Sequence, residues 1–154
     1  MLINLATLQK FITRQMEPQY PNNLEDYCTY FNISFFKLGL KCVFCRHWLD
    51  TVQLASFHQK KLSLLWRDGD CYACCTGCLR LSANYETERF YRCSFNSKIV
   101  EDVFRAPLNE IIIRCMHCYN LLDYIEKFEH QMREEPFHLI RQHLRGSCRH
   151  CVRK

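Results

Sequence analysis

The sequence predicts an α/β chain made of two similar small domains, each stapled by a four-cysteine metal site, with a linker helix between them. Three observations carry this reading. Twelve cysteines stand among 154 residues. Eight of them form four C-x-x-C pairs that recur with a fixed offset. The segments between the pairs carry helix and strand patterns, which suits two units small enough to need a staple.

A cysteine count this high fits either a secreted disulfide scaffold or an intracellular metal protein. The N-terminus MLINLATLQKFITRQ has no basic n-region and no unbroken apolar run. Leu2, Leu5, Leu8 and Ile12 fall at helical spacing instead, which predicts a short amphipathic helix. No stretch approaches the roughly 18 apolar residues of a membrane span, so no membrane span is expected. A cytosolic or nuclear chain follows, in which paired cysteines bind metal. The formal net charge is +5. Eight thiolates holding two divalent ions bring it close to +1, so charge alone makes a weak case for nucleic acid.

The metal ligands emerge from the repeat. The stretch CYACCTGC at 71–78 divides into Cys71/Cys74 or Cys75/Cys78. Cys42 and Cys45 recur 73 residues later as Cys115 and Cys118. Cys148 and Cys151 map back by the same 73 onto Cys75 and Cys78, whereas Cys71 and Cys74 map onto Leu144 and Ser147. Each half therefore reads C-x2-C-x29-C-x2-C. CRHWLD at 45–50 also aligns with CYNLLD at 118–123, sharing Leu49/Leu122 and Asp50/Asp123. Cys28, Cys71, Cys74 and Cys93 are left as spare thiols, candidates for oxidation.

The intervening segments fix the elements. VQLASFHQKKLSLLWRDG suits a helix, a short strand and an RDGD turn. LDYIEKFEHQMREEPFHLIRQHLRG suits a helix to Glu134, a break at Pro136 and an apolar stretch ending at Gly146. Leu81, Tyr85 and Phe90 fit a linking helix, and Ile111–Ile113 reads as a strand just before Cys115. Residues 1–23 are read as an extension, 24–82 as the first domain, 83–106 as the linker region and 107–154 as the second domain with a short tail.

Four soft thiolates in a tetrahedron are the preferred structural zinc set, so two structural Zn²⁺ are expected, held by Cys42, Cys45, Cys75 and Cys78 and by Cys115, Cys118, Cys148 and Cys151. A single iron per site, as in rubredoxin-like electron carriers, is the redox alternative. Glycine is absent after the second cysteine of each knuckle, where Arg46, Leu79, Tyr119 and Val152 stand instead. His117 and His150, inside knuckles, are read as imidazoles near the surface rather than ligands. The zinc-deaminase signature, a P-loop and a dinucleotide fingerprint are all missing from the sequence.

The doubled cysteine spacing, with KCVFC at 41–45, LLWRDGDCYACCTGCLR at 64–80, IIIRCMHC at 111–118 and FHLIRQHLRGSCRHC at 137–151, resembles the papillomavirus early protein six family over about residues 24–151. The resemblance implies two α/β zinc domains, each with a small antiparallel sheet, and a zinc-binding oncoprotein without enzymatic activity of its own. It implies an adaptor working in host cytoplasm and host nucleus. A groove between the domains and linker helix captures acidic LxxLL helices of host proteins: a ubiquitin ligase, the Mastermind-like Notch coactivator or paxillin. Matched onto the family motifs, Val43, Phe44, Leu62, Leu65 and Leu79 form the apolar wall, Cys74 lines it, and Arg114 and Arg141 are the charged contacts. Leu62 and Leu65 as plain core, and Arg114 as an exposed strand end, are the rival readings.

Two departures qualify the match. The chain ends CVRK rather than in a [ST]-x-[VL] tail, so no PDZ partner is predicted. The first fifteen residues extend past the family's usual start, which makes Met16 an alternative to Met1 as initiator. A second functional class is a zinc-dependent, nucleic-acid-binding transcription regulator, with HQKK at 58–61 and RHCVRK at 149–154 contacting phosphate weakly. Weak self-association is a further expectation.

Overall fold

The computed structural model describes residues 19–152. The expected N-terminal amphipathic helix and Met16 lie outside the described residues. The described residues are mixed α/β, with two small sheets and two four-cysteine clusters among them.

The first half opens with α1 (Leu24–Phe31), then β1 (Lys41–Cys42), α2 (Thr51–Gln59), β2 (Leu65–Arg67) and β3 (Asp70–Ala73). Local sequence explains the boundaries. Asn23 caps α1 by accepting from the Asp26 N–H at 2.8 Å. Asn32 ends that helix in the left-handed region at φ 51°. A capping box of Asp50 and Gln53 starts α2. Asp68 and Gly69, at φ 51° and 83°, make the two-residue turn joining β2 to β3.

The long helix α3 (Thr76–Phe90) leaves the first half and leads into β4 (Tyr91–Phe95). The second half continues with α4 (Val100–Phe104), β5 (Arg114–Cys115), α5 (Tyr124–Met132), β6 (Phe137–Ile140) and β7 (His143–Gly146). The strand expected at Ile111–Ile113 falls instead on Arg114–Cys115, because those residues pair in parallel with Arg145 and Gly146. β4 lies within the 83–106 span expected to link the domains. It pairs antiparallel with β6 and extends the second sheet to four strands, in the order β4-β6-β7-β5.

The 73-residue repeat governs the fold as well as the cysteines. Lys41 pairs with Tyr72 in parallel, and Arg114 pairs with Arg145 in the same way. Leu65–Tyr72 and His138–Arg145 are the matching antiparallel pairs. The resemblance implies a small antiparallel sheet in each half; each half has an antiparallel hairpin, but its sheet is mixed, because a short strand pairs in parallel beside the hairpin. Left-handed residues recur too: Arg46 with Tyr119, and Lys61 with Glu134.

The interiors of the two halves differ in kind. Leu24, Leu54 and Phe57 are buried in the first core. Their counterparts 73 residues on are Ser97, Lys127 and His130, also buried. Burying polar groups is costly unless each finds a partner. Lys127 Nζ donates to the carbonyls of Leu108 (3.2 Å) and Ile111 (2.6 Å). Ser97 Oγ donates to the His130 carbonyl at 3.1 Å. His130 Nδ1 donates to the Glu126 carbonyl at 2.8 Å, and its Nε2 accepts from the Ser147 N–H at 3.3 Å. The ring also stacks on Phe137 with centroids 4.8 Å apart. Gly146 permits this approach, since a Cβ there would meet His130 Nε2 and Phe137 Cδ1 at 3.1 Å. As a result α5 turns Glu126, Lys127 and His130 inward and leaves Tyr124, Ile125, Phe128 and Met132 exposed.

Candidate metal centres and inter-half groove

The Sγ atoms of Cys42, Cys45, Cys75 and Cys78 lie within 4.8 Å of one another, and those of Cys115, Cys118, Cys148 and Cys151 do the same. A tetrahedron with metal–sulfur bonds of about 2.3 Å has edges of about 3.8 Å. The Cys45–Cys75 and Cys118–Cys148 sulfurs are 3.9 and 3.7 Å apart. The donor sets therefore fit a tetrahedral thiophilic ion at both sites.

Each knuckle is a tight turn whose N–H groups point at sulfur. In the first half Arg46 N–H donates to the Cys42 carbonyl at 3.0 Å, and Tyr119 repeats this bond to Cys115. Cys75 is also the N-cap of α3, with its Sγ accepting from Cys78 N–H at 3.4 Å. A thiolate there meets the positive end of the helix dipole. Burial pushes the Cys42 thiol up, but N–H donors from Cys75, Cys45 and Phe44 outweigh it and bring it down to about 6. Cys115 is held down to about 4, chiefly by the Cys118 thiol and then, against burial, by N–H groups of Cys148, His117 and Cys118.

Cys78, Cys118 and Cys148 move the other way. Burial and neighbouring sulfur push Cys78 up to about 12 and Cys148 up to about 11. Cys115 and then burial push Cys118 far above the ordinary thiol range. Sulfurs this close cannot all ionise unless a cation sits among them. His117 is half-buried and His150 exposed, and neither joins a cluster.

The spare thiols separate by environment. Burial pushes Cys71 up to about 12 and Cys74 higher still, so both are poor nucleophiles. Cys93, on β4, is exposed.

The expected groove residues do not share one surface. Val43, Cys74 and Leu79 are buried, and Cys74 and Leu79 belong to the first core. Leu62 is half-buried against that core. Phe44 and Leu65 are exposed, at 62% and 45%. Arg114 is not an exposed strand end. Its guanidinium donates to the carbonyls of Lys60 (2.5 Å), Lys61 (3.2 Å) and Tyr119 (3.0 Å), bracing one half against the other. Burial, with the Arg145 charge second, lowers its pKa. Arg141 is exposed, pairs with Glu86 of α3 at 3.2 Å and lies over the Phe90 ring at 3.5 Å.

Sequence reasoning passed over Tyr119. It follows Cys118, yet its ring packs against the first core. The signal was present in the repeat. Arg46 lies over Tyr72 at 4.6 Å in the first half, and at the equivalent positions Arg145 lies over Tyr119 at 5.5 Å, with the partners exchanged.

The family profile Early Protein (E6) matches residues 42–151, the span that carries both cysteine clusters. The chain belongs to the papillomavirus E6 family. It is 51% identical over 137 residues to Protein E6 of human papillomavirus type 48, covering 89% of this chain and 96% of that protein. Identity to Protein E6 of human papillomavirus 65 is 48% over 134 residues, covering 87% and 96%. Identity to Protein E6 of human papillomavirus type 60 is 41% over 138 residues, covering 90% and 97%. The E6 relatives are thus matched across nearly their whole length, and this E6 chain carries the doubled cysteine clusters as metal-binding candidates.

Proposed function

We propose that this E6 chain is an adaptor oncoprotein whose two structural Zn²⁺ ions hold the halves, and whose inter-half groove captures acidic LxxLL helices of host proteins. A ubiquitin ligase, a Mastermind-like coactivator and paxillin are the partner candidates, met in host cytoplasm and nucleus. The chain itself carries out no catalysis in this reading.

One observation carries it. Arg114 fastens the second half to the Lys60–Lys61 backbone of the first, with α3 running beside both. Two halves held together in this way are what a groove between them requires, and this supports the reading. An LxxLL helix presents leucines at i, i+3 and i+4 and needs an apolar trough. Phe44 and Leu65, both exposed, offer apolar surface. Arg141 offers a fork for an acidic flank.

The test compares binding of LxxLL peptides from the three candidates to the full-length chain. At least one is expected to bind, and Leu65→Glu is expected to abolish that binding with metal content unchanged. Lack of binding by all three removes the adaptor reading. Elemental analysis of the same preparation is expected to give two Zn²⁺ per chain and a colourless protein. Coloured protein with one iron per cluster overturns the zinc assignment.

A further inference from the structure

We propose that the recess between α1 and α2 is a docking site for this chain's own N-terminal segment, which seats the Phe11 ring in the recess and sets Lys10 and Arg14 against its acidic rim. The proposal is independent of the adaptor reading.

The recess has a volume of about 440 Å³ and a largely apolar lining, with Leu24 and Cys28 from α1, Phe35, and Ala55 from α2. That size falls within the range of about 300–1,000 Å³ common to ligand sites. The sequence repeat explains why the recess is open. Position 55 is alanine, while the residue 73 places on is Phe128, and Gln59 corresponds in the same way to Met132. α2 therefore carries a methyl group where α5 carries a ring, and the first half lacks apolar bulk that its counterpart has. Atoms that face a void forfeit their contacts on that side, so a ring placed there is favourable.

Position, reach and charge name the occupant. The Pro21 carbonyl accepts from Trp66 Nε1 at 2.9 Å, and the Asn22 carbonyl accepts from the Leu64 N–H at 2.7 Å. The chain is thus fixed two residues before Leu24, which lines the recess. Phe11 is the one aromatic residue among the eighteen that precede the described chain, and it stands ten residues before Pro21. Ten residues extend to about 33–36 Å, ample to return to the recess. Glu25 lies at the rim, and with Asp26 it makes the first turn of α1 acidic. Phe11 is flanked by Lys10 and Arg14, so the charges are complementary. Exposed ion pairs contribute little, so the charges orient the segment and burial of the ring holds it.

The Cys28 thiol lines the recess and reports on its occupancy. The measurement is the rate at which N-ethylmaleimide modifies Cys28 in the full-length, metal-loaded chain, read by peptide mass mapping, with the exposed Cys93 of β4 as internal reference. Phe11→Ala is expected to raise the Cys28 rate about tenfold if the recess is filled in about nine molecules of ten, with the Cys93 rate unchanged. Lys10→Glu combined with Arg14→Glu should raise it by a smaller factor. A chain started at Met16, which lacks all three residues, should match Phe11→Ala. Ala55→Phe fills the recess from within, so in that background Cys28 should stay protected with or without Phe11. Equal Cys28 rates in the unaltered chain and Phe11→Ala overturn the proposal and leave the recess to a separate partner. Protection that grows with protein concentration overturns it in favour of a second copy of the chain. Should Ala55→Phe lose metal, the Phe11→Ala comparison decides alone.

Discussion

The Arg114 guanidinium, in the second half, donates to the backbone carbonyl of Lys60 in the first. It also reaches Lys61 and Tyr119, so one half-buried cation satisfies three carbonyls. Hydrogen bonds from charged donors contribute about 1.5–3 kcal/mol each when a partner is removed, and these share one side chain. Arg114→Ala is expected to cost about 2 kcal/mol and to uncouple the halves. Calorimetry should then show two transitions where the unaltered chain gives one, with both metals retained. A single unshifted transition would mean the brace is dispensable. Because Arg114 braces the halves, loss of peptide binding in Arg114→Glu has two causes. Arg141 is the cleaner probe of an acidic flank.

The cysteine register makes a second prediction. Cys75 completes the first cluster and caps α3, whereas Cys71 is absent from it. Cys75→Ser is expected to lose one metal equivalent and to unfold the first half, since site and fold are coupled. Cys71→Ser should retain both metals. Metal content with far-ultraviolet circular dichroism separates the two, and equal loss in both variants would place the ligand elsewhere.

Much of this was legible in the sequence because it is local or periodic. The offset relating Cys42 to Cys115 also relates the Asp50 and Asp123 caps. Asp68-Gly69 reads as a hairpin turn from two residues alone. What escaped is long-range. β4 joins the second sheet because β6 offers it a partner, and nothing within Tyr91–Phe95 announces that pairing. The inverted polarity of α5 escaped for a related reason. Lys127 and His130 are tolerable inside only because carbonyls of Leu108, Ile111 and Glu126 meet them there. Arg114 was assigned to an exposed rim since its acceptors, Lys60 and Lys61, lie more than fifty residues away.

The polar interior of the second half yields a third prediction. Lys127 occupies the place of Leu54, and its burial lowers its pKa even with Asp123 nearby. Lys127→Ala removes the donor to two carbonyls and leaves a cavity, with an expected loss of about 2–4 kcal/mol. Lys127→Leu restores the bulk found at Leu54 but not the hydrogen bonds, so its cost should be smaller. Chemical denaturation of the three proteins ranks them. Equal stability of Lys127→Ala and the unaltered chain would show that the buried ammonium contributes nothing.

His138 supplies the pH dependence. It lies on β6, with its Nδ1 facing the Tyr91 hydroxyl at 3.3 Å. Burial lowers its pKa, and the nearby His130 and His117 push in the same direction. The folded state therefore favours the neutral ring, and below the ordinary histidine pKa of about 6.5 the unfolded chain binds the proton more readily. The resulting stability is fully present above about pH 6.5 and is lost as pH falls through the lower folded value. Thiolate protonation destabilises the metal centres in acid too, so the comparison must be between variants. Denaturant midpoints measured between about pH 7.5 and 5.5 should fall less steeply for His138→Gln than for the unaltered chain. Parallel slopes would show that the acid sensitivity belongs to the thiolates and not to this ring.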